Sequence, residues 1–141
     1  MTEKTILVVD DDPDVRLSLK VRLSIHHYNV IFAEDGVSSI AEVRKHMPDL
    51  IILDLGLPAG DGFAVLERLK ANESFALIPV IVVSGRDRFA NRERAIKAGA
   101  RTFLQKPVDN DRLLSVIRQI LGEKESAHQE VYDLGHPDQR D

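Results

Sequence analysis

Apolar residues fall in short unbroken runs along this chain, each closed by a polar or charged residue. Ile6-Leu7-Val8-Val9 ends at Asp10, Leu50-Ile51-Ile52-Leu53 at Asp54, and Val80-Ile81-Val82-Val83, entered through Pro79, at Ser84. Thr102-Phe103-Leu104 leads into Lys106-Pro107, and a weaker run, Val30-Ile31-Phe32-Ala33, ends at Glu34. Continuous rather than alternating runs predict strands buried on both faces, as in a parallel sheet covered by helices.

Helical spacing fills the intervals. Val37, Ile40, Ala41 and Met47 make a three-four face that Pro48 closes, and Phe63, Leu66 and Leu69 make another. Asp109 reads as an N-cap before Leu113, Leu114, Ile117, Ile120 and Leu121, with Gly122 at the end. Residues 15–25 alternate, with Val15, Leu17, Leu19, Val21, Leu23 and Ile25 apolar, which is a strand pattern. Asp12-Pro13 nonetheless gives a cap followed by Pro in the first turn, and eleven residues are about twice a usual strand of 5–6. A helix is expected there, unusually buried because it is apolar on two sides. The resulting β-α alternation, five times over, predicts an α/β fold with right-handed crossovers.

Composition narrows the function. The 141 residues are 43% hydrophobic and 30% charged, enough for one globular domain. The net charge of −4 argues against direct nucleic-acid binding. With no cysteine, disulfides, thiolate metal sites and cysteine nucleophiles are excluded. No apolar run approaches the about 20 residues of a membrane helix, and no secretory leader is evident, so a soluble cytoplasmic protein without membrane contact is expected. Residues 123–141 hold six acids and two bases, leaving 1–122 balanced at 17 of each sign. The expected division is a folded body over 1–122 and a flexible acidic tail over 123–141. The five histidines, His26, His27, His46, His128 and His136, have no ligand spacing and read as surface residues.

In an open α/β sheet, ligands bind beyond the carboxyl ends of the strands. Asp10, Asp54, Ser84 and Lys106 all stand at such ends, and Asp11 and Asp12 follow Asp10. Crowded carboxylates demand a cation, and hard oxygen donors that share their cation with phosphate suit Mg²⁺. A lysine and a hydroxyl are able to hold phosphoryl oxygens, and a carboxylate is able to attack phosphorus. The set reads as a magnesium-dependent aspartyl-phosphate site.

Ile6-Leu7-Val8-Val9-Asp10-Asp11-Asp12-Pro13 resembles the opening of the receiver domain of two-component response regulators. So do Pro48-Asp49 through Asp54 to Pro58, Gly60-Asp61-Gly62, Val82-Val83-Ser84-Gly85, Ala98-Gly99-Ala100 and Lys106-Pro107, over about residues 4–121. The resemblance implies a flavodoxin-like, doubly wound, five-stranded parallel sheet of order 2-1-3-4-5 with five helices. It implies a cis bond at Lys106-Pro107. It implies a phosphoacceptor switch rather than an enzyme acting on outside substrates, catalysing only its own phosphorylation and dephosphorylation. Asp54 would take the phosphoryl group from a sensor histidine kinase or a histidine phosphotransfer protein. Asp11 and Asp54 would bind Mg²⁺ with the backbone carbonyl of Gly56, and Asp10 would act through water or hold the acidic pocket. Lys106 would bridge to the phosphoryl group, Ser84 would move to contact it, and Phe103 would turn inward in response. Gly56 and Arg86 stand where the family tunes phosphoryl lifetime.

The stretch 86–101 is strongly basic, at net +4, and with the following strand it makes 86–106 the expected surface for an output protein or a homodimer. No output domain follows in this sequence, so the output is expected from a separate protein, from dimerisation or from a longer parent. Two other readings compete. Asp10 and Asp12 form the Asp-x-Asp of small phosphatases of the haloacid-dehalogenase kind, although that leaves Asp54 without a role. A flavodoxin-like FMN binder needs a neutral phosphate loop after the first strand, where this chain is acidic.

Overall fold

The computed structural model describes residues 3–57, 62–85 and 88–123. Five strands, β1 (Thr5–Val9), β2 (Asn29–Ala33), β3 (Leu50–Leu53), β4 (Val80–Ser84) and β5 (Thr102–Gln105), form one sheet of order β2-β1-β3-β4-β5. Every neighbouring pair is parallel. Between them run α1 (Pro13–Ile25), α2 (Gly36–His46), α3 (Gly62–Ala71) and α4 (Arg88–Lys97), and α5 (Asn110–Leu121) follows β5. The chain divides into two units, 1–108 with the sheet and α1–α4, and 109–141, whose described part is α5. The doubly wound five-stranded fold expected from the sequence is the one found.

The unbroken apolar runs explain the three central strands. Every residue of β3 and β4, and all of β1 after Thr5, is buried. One continuous core joins Leu7, Val9, Ile51, Leu53, Val80 and Val82 of the sheet to Val43, Phe63, Leu66 and Ala95 of the helices. The oppositely directed Ile6, Val8, Ile52 and Ile81 are buried as well. At the edge, β2 has an exposed Asn29 and is half-buried over Val30, Ile31 and Phe32, with Ala33 alone buried, which accounts for its weaker apolar signal.

The caps follow the expected chemistry. The Asp12 carboxylate accepts from the Asp14 N–H at 2.9 Å ahead of Pro13. Asp35 and Ser38 close a reciprocal capping box on α2, and Met47 ends that helix in the left-handed region at φ 43° before Pro48. Asp109 caps α5, and Gly122 ends it at φ 71°. Lys106-Pro107 is cis.

Two helical faces differ from expectation. Helix α1 forms where the cap and proline place it, but it is not unusually buried. Leu23 alone among its residues is buried, while Leu17, Val21 and Ile25 are 61%, 52% and 66% exposed. An alternating pattern wound into a helix spreads its apolar side chains round the cylinder, and the sheet covers one side only. In α2 the buried set is Gly36, Ser39, Ile40 and Val43; of the face read from the sequence only Ile40 belongs to it, and Val37 is 69% exposed. The true i, i+3, i+4, i+7 stripe runs through two small residues, which an apolar count overlooks.

The α1 geometry predicts unequal costs for like substitutions. Leu23→Ala, at 1% exposure, should cost about 2–5 kcal/mol of unfolding free energy, and Leu17→Ala should stay within about 0.5 kcal/mol. Urea titrations of the two variants against the parent measure both.

Candidate functional site

Parallel strands bring their carboxyl ends to one rim, and the charged residues that close the runs meet there. The ladder holds the ends in register: the Asp54 N–H donates to the Val9 carbonyl at 3.0 Å and the Asp10 N–H to the Ala33 carbonyl at 3.1 Å. Carboxylate oxygens of Asp10, Asp11 and Asp54 all lie within 4.8 Å of one another. Asp10 is buried at 4% exposure, Asp54 is half-buried and Asp11 is open to solvent. Three hard oxygen donors at mixed depth fit a divalent cation that keeps part of its water.

Lys106 supplies the resident cation. Its ammonium donates to Asp10 Oδ2 at 2.8 Å and reaches Asp54 Oδ2 at 3.5 Å. Burial alone would pull its pKa down, but the hydrogen bond and charge of Asp10, with the charge of Asp54, outweigh that and raise it. The backbone behind it is anchored to β4, where the Lys106 N–H donates to the Ser84 carbonyl at 2.9 Å. Asp10 is held from two further sides. Its Oδ1 accepts from the Asp12 N–H at 3.0 Å, and its carbonyl accepts from the Arg16 guanidinium at 2.7 Å. Arg16 carried no motif in the sequence; only the placement of α1, which turns its first residues back over the end of β1, brings it to the site.

The other expected residues fall as follows. Gly56 is exposed, and its N–H donates to Asp54 Oδ1 at 3.0 Å. A side chain on Gly56 would begin 3.7 Å from that carboxylate, so the glycine leaves the mouth open. Ser84 ends β4 fully buried. Phe103 pairs with Val82 in register and is 7% exposed within the core, so the aromatic expected to turn inward is already inside. Asp12 points its carboxylate at the helix backbone as a cap and is not part of the acid cluster. His26, His27 and His46 are exposed, as expected, and the latter pairs with Glu42 at 3.2 Å. The loop at 58–61, Arg86, His128, His136 and the tail from 124 onward lie outside the described residues.

Lys106→Met should leave Asp10 as a buried carboxylate without its cation, costing about 3–5 kcal/mol, less whatever water entering the half-open pocket recovers. In an Asp10→Asn background the same substitution should cost much less, the difference being a coupling of about 0.5–3 kcal/mol. Because the lysine pKa is raised on folding, this contribution is complete below its unfolded value of about 10.4 and fades as pH rises through the folded value. Denaturant titrations at neutral pH and above pH 10 on all four proteins read the coupling and its sign.

A family model described as the response regulator receiver domain matches residues 6–118. The protein PilH of Pseudomonas aeruginosa is 34% identical over 82% of this chain and 96% of its own length. Other curated relatives are longer, and the chain spans 25% to 56% of them. Among solved structures, a CheY-like receiver domain protein from Methanospirillum hungatei superposes with a TM-score of 0.80 at 29% identity, over 86% of this chain and 95% of that one. The receiver domain of a sensor histidine kinase from Pseudomonas aeruginosa, described with magnesium coordinated in its active-site cleft, gives a TM-score of 0.79 over 86% of this chain and 100% of that one; at 24% identity it speaks for the fold alone. Matched across its strands, its acidic rim and its lysine, the chain belongs to the response regulator receiver domain family.

Proposed function

We propose that this receiver domain takes a phosphoryl group onto Asp54 from the phosphohistidine of a sensor histidine kinase or a histidine phosphotransfer protein. The observation that carries the reading is the meeting of three carboxylates and one lysine at the rim where β1 and β3 end side by side. Asp54 is the nucleophile. Its carboxylate oxygen attacks phosphorus, the P–N bond breaks, and the electron pair leaves with the imidazole nitrogen. Hydrolysis returns the carboxylate when water attacks the same phosphorus. The protein thus acts on its own Asp54 and is not an enzyme for outside substrates.

Asp11 and Asp54, with Asp10 and the backbone carbonyl of Gly56, are the residues that would hold Mg²⁺. The bound cation neutralises charge on the transferring phosphoryl oxygens. Lys106, already 3.5 Å from Asp54 Oδ2, is placed to shift part of its contact from the carboxylate to the phosphoryl group. Ser84, buried at the end of β4, supplies a hydroxyl to the same group, and Phe103 packs beside that strand end on β5. Those contacts exist only when Asp54 is modified, which is what a change of state requires. The output face is 86–106, basic and outward on α4, which serves a separate output protein or a homodimer. In this reading the receiver is the body 1–122 and residues 123–141 are an acidic appendage.

The phosphatase alternative is not favoured. It needs Asp10 and Asp12 as a catalytic pair, yet Asp12 caps α1 and Asp10 is paired to Lys106.

Incubation with acetyl phosphate and magnesium should add one phosphoryl mass, and Asp54→Asn should abolish it; undiminished labelling of that variant would move the nucleophile elsewhere. Asp11→Ala should weaken magnesium binding and phosphorylation together, as read by calorimetry and intact-mass spectrometry. Magnesium bound as tightly by the variant as by the parent removes Asp11 from the ligand set.

A further inference from the structure

Helix α4 buries little apolar surface among its described residues. Among its described side chains Ala95 is buried, whereas Phe89 is 92% and Ile96 37% exposed. Three arginines and a lysine occupy the ten residues from 88 to 97. A helix so poor in buried apolar surface does not draw a firm attachment from burial alone. A further attachment comes from Arg94, whose guanidinium lies 3.7 Å from the centroid of the Phe63 ring on α3.

Phe63 leads directly to the site. It is 1% exposed, and the residue before it, Gly62, is pressed against the end of β3. A Cβ on Gly62 would fall 2.5 Å from Leu55 Cα and 2.6 Å from the Asp54 carbonyl oxygen, and the Gly62 N–H donates to the Leu55 carbonyl at 3.0 Å. Successive contacts therefore join Arg94 on α4 to Phe63, to Gly62, and to the backbone of the phosphorylated residue. The two ends of this chain differ in freedom. Burial fixes the ring and close packing fixes the glycine, whereas the Arg94 side chain, though laid over the ring, remains exposed on a helix that buries little apolar surface. If α4 shifts, the ring stays and the stack breaks.

We propose that the Arg94–Phe63 stack is the latch that holds α4 in its phosphoryl-free position, which makes Arg94 a positioning residue for the switch. The inference rests on the reading of 86–106 as the output face. A contact present in one state and lost in the other favours the first, and a ligand that binds the second must work against it. Removing the stack therefore tightens binding of a phosphoryl mimic, an outcome that loss of a merely structural contact would not give.

The test titrates beryllofluoride and magnesium into the parent, Arg94→Ala and Arg94→Lys, following backbone amide resonances and checking by thermal unfolding that each variant is folded. In the parent, α4 resonances should move with occupancy. Arg94→Ala should bind the mimic roughly two- to fivefold more tightly, the size of an exposed cation–π contact. Its α4 resonances without the mimic should already lie displaced toward the bound positions. Arg94→Lys keeps a cation over the ring and should fall between. Equal or weaker binding by Arg94→Ala, with α4 moving normally in the parent, overturns the latch and leaves the output face standing. Parent α4 resonances that do not move overturn both.

Discussion

A carboxylate at 4% exposure needs a cation, and the one Asp10 has comes from 96 residues away. That pairing constrains the rest of the molecule. In the order β2-β1-β3-β4-β5, the end of β1 and the end of β5 are separated by two strands. For the Lys106 ammonium to reach Asp10 at 2.8 Å, its stem must cross the ends of β3 and β4, which carry Asp54 and Ser84. The same reach explains the secondary contact to Asp54 at 3.5 Å. Had the strands been antiparallel, their polar ends would have been shared between two rims and no single lysine would serve them. The parallel sheet and the long flexible cation are two halves of one arrangement.

The balance of charge at the rim then indicates what the site accepts. Three carboxylates face one ammonium, and Arg16 spends its guanidinium on a backbone carbonyl rather than on an acid. The excess of negative charge is a standing demand for a further cation, and the wet edge at Asp11 gives it a way in. It also makes a phosphoryl dianion unwelcome until that cation arrives. The acidic stretch that excludes a flavin phosphate is thus compatible with phosphoryl transfer, because a divalent cation would cancel the excess of negative charge there. Asp12, equally acidic and adjacent in sequence, contributes nothing to this balance at close range, since its side chain turns to the helix N-terminus.

Much of the site was legible in the sequence because Asp10, Asp54 and Ser84 each close an apolar run, and a run buried on both faces marks where a strand stops. Lys106 stands one residue beyond the end of β5 at Gln105, and Asp11 follows Asp10 directly. The helix faces were less legible for a physical reason. On α2 the inward stripe uses Gly36 and Ser39, small residues that fit close to the sheet and carry no apolar signal. On α1 an alternating pattern favours a strand, and only the Asp12-Pro13 start overrides it; how much of the helix is covered depends on what packs there, which periodicity does not encode. Arg16, Gly62 and the Arg94–Phe63 stack are contacts between elements, visible only once the elements are placed.

The unequal burial of α3 and α4 is what the proposed latch depends on. Gly62, Phe63, Val65, Leu66 and Leu69 are all buried, and the last four share one core with Ile51 and Leu53 of the strand that ends just before Asp54. Helix α4 presents almost the reverse composition, a polar and cationic surface in which Ala95 is the buried residue among the described side chains and Arg94 lies over an aromatic ring. Strain introduced at Asp54 cannot be relieved through α3 without opening the core, which packed side chains resist. In the proposed switch it is relieved at α4, which buries less apolar surface than α3 among the described residues. In the proposed switch linkage would be reciprocal: a partner that captured α4 away from Phe63 would favour the phosphorylated pocket by the same factor that phosphorylation favours the partner.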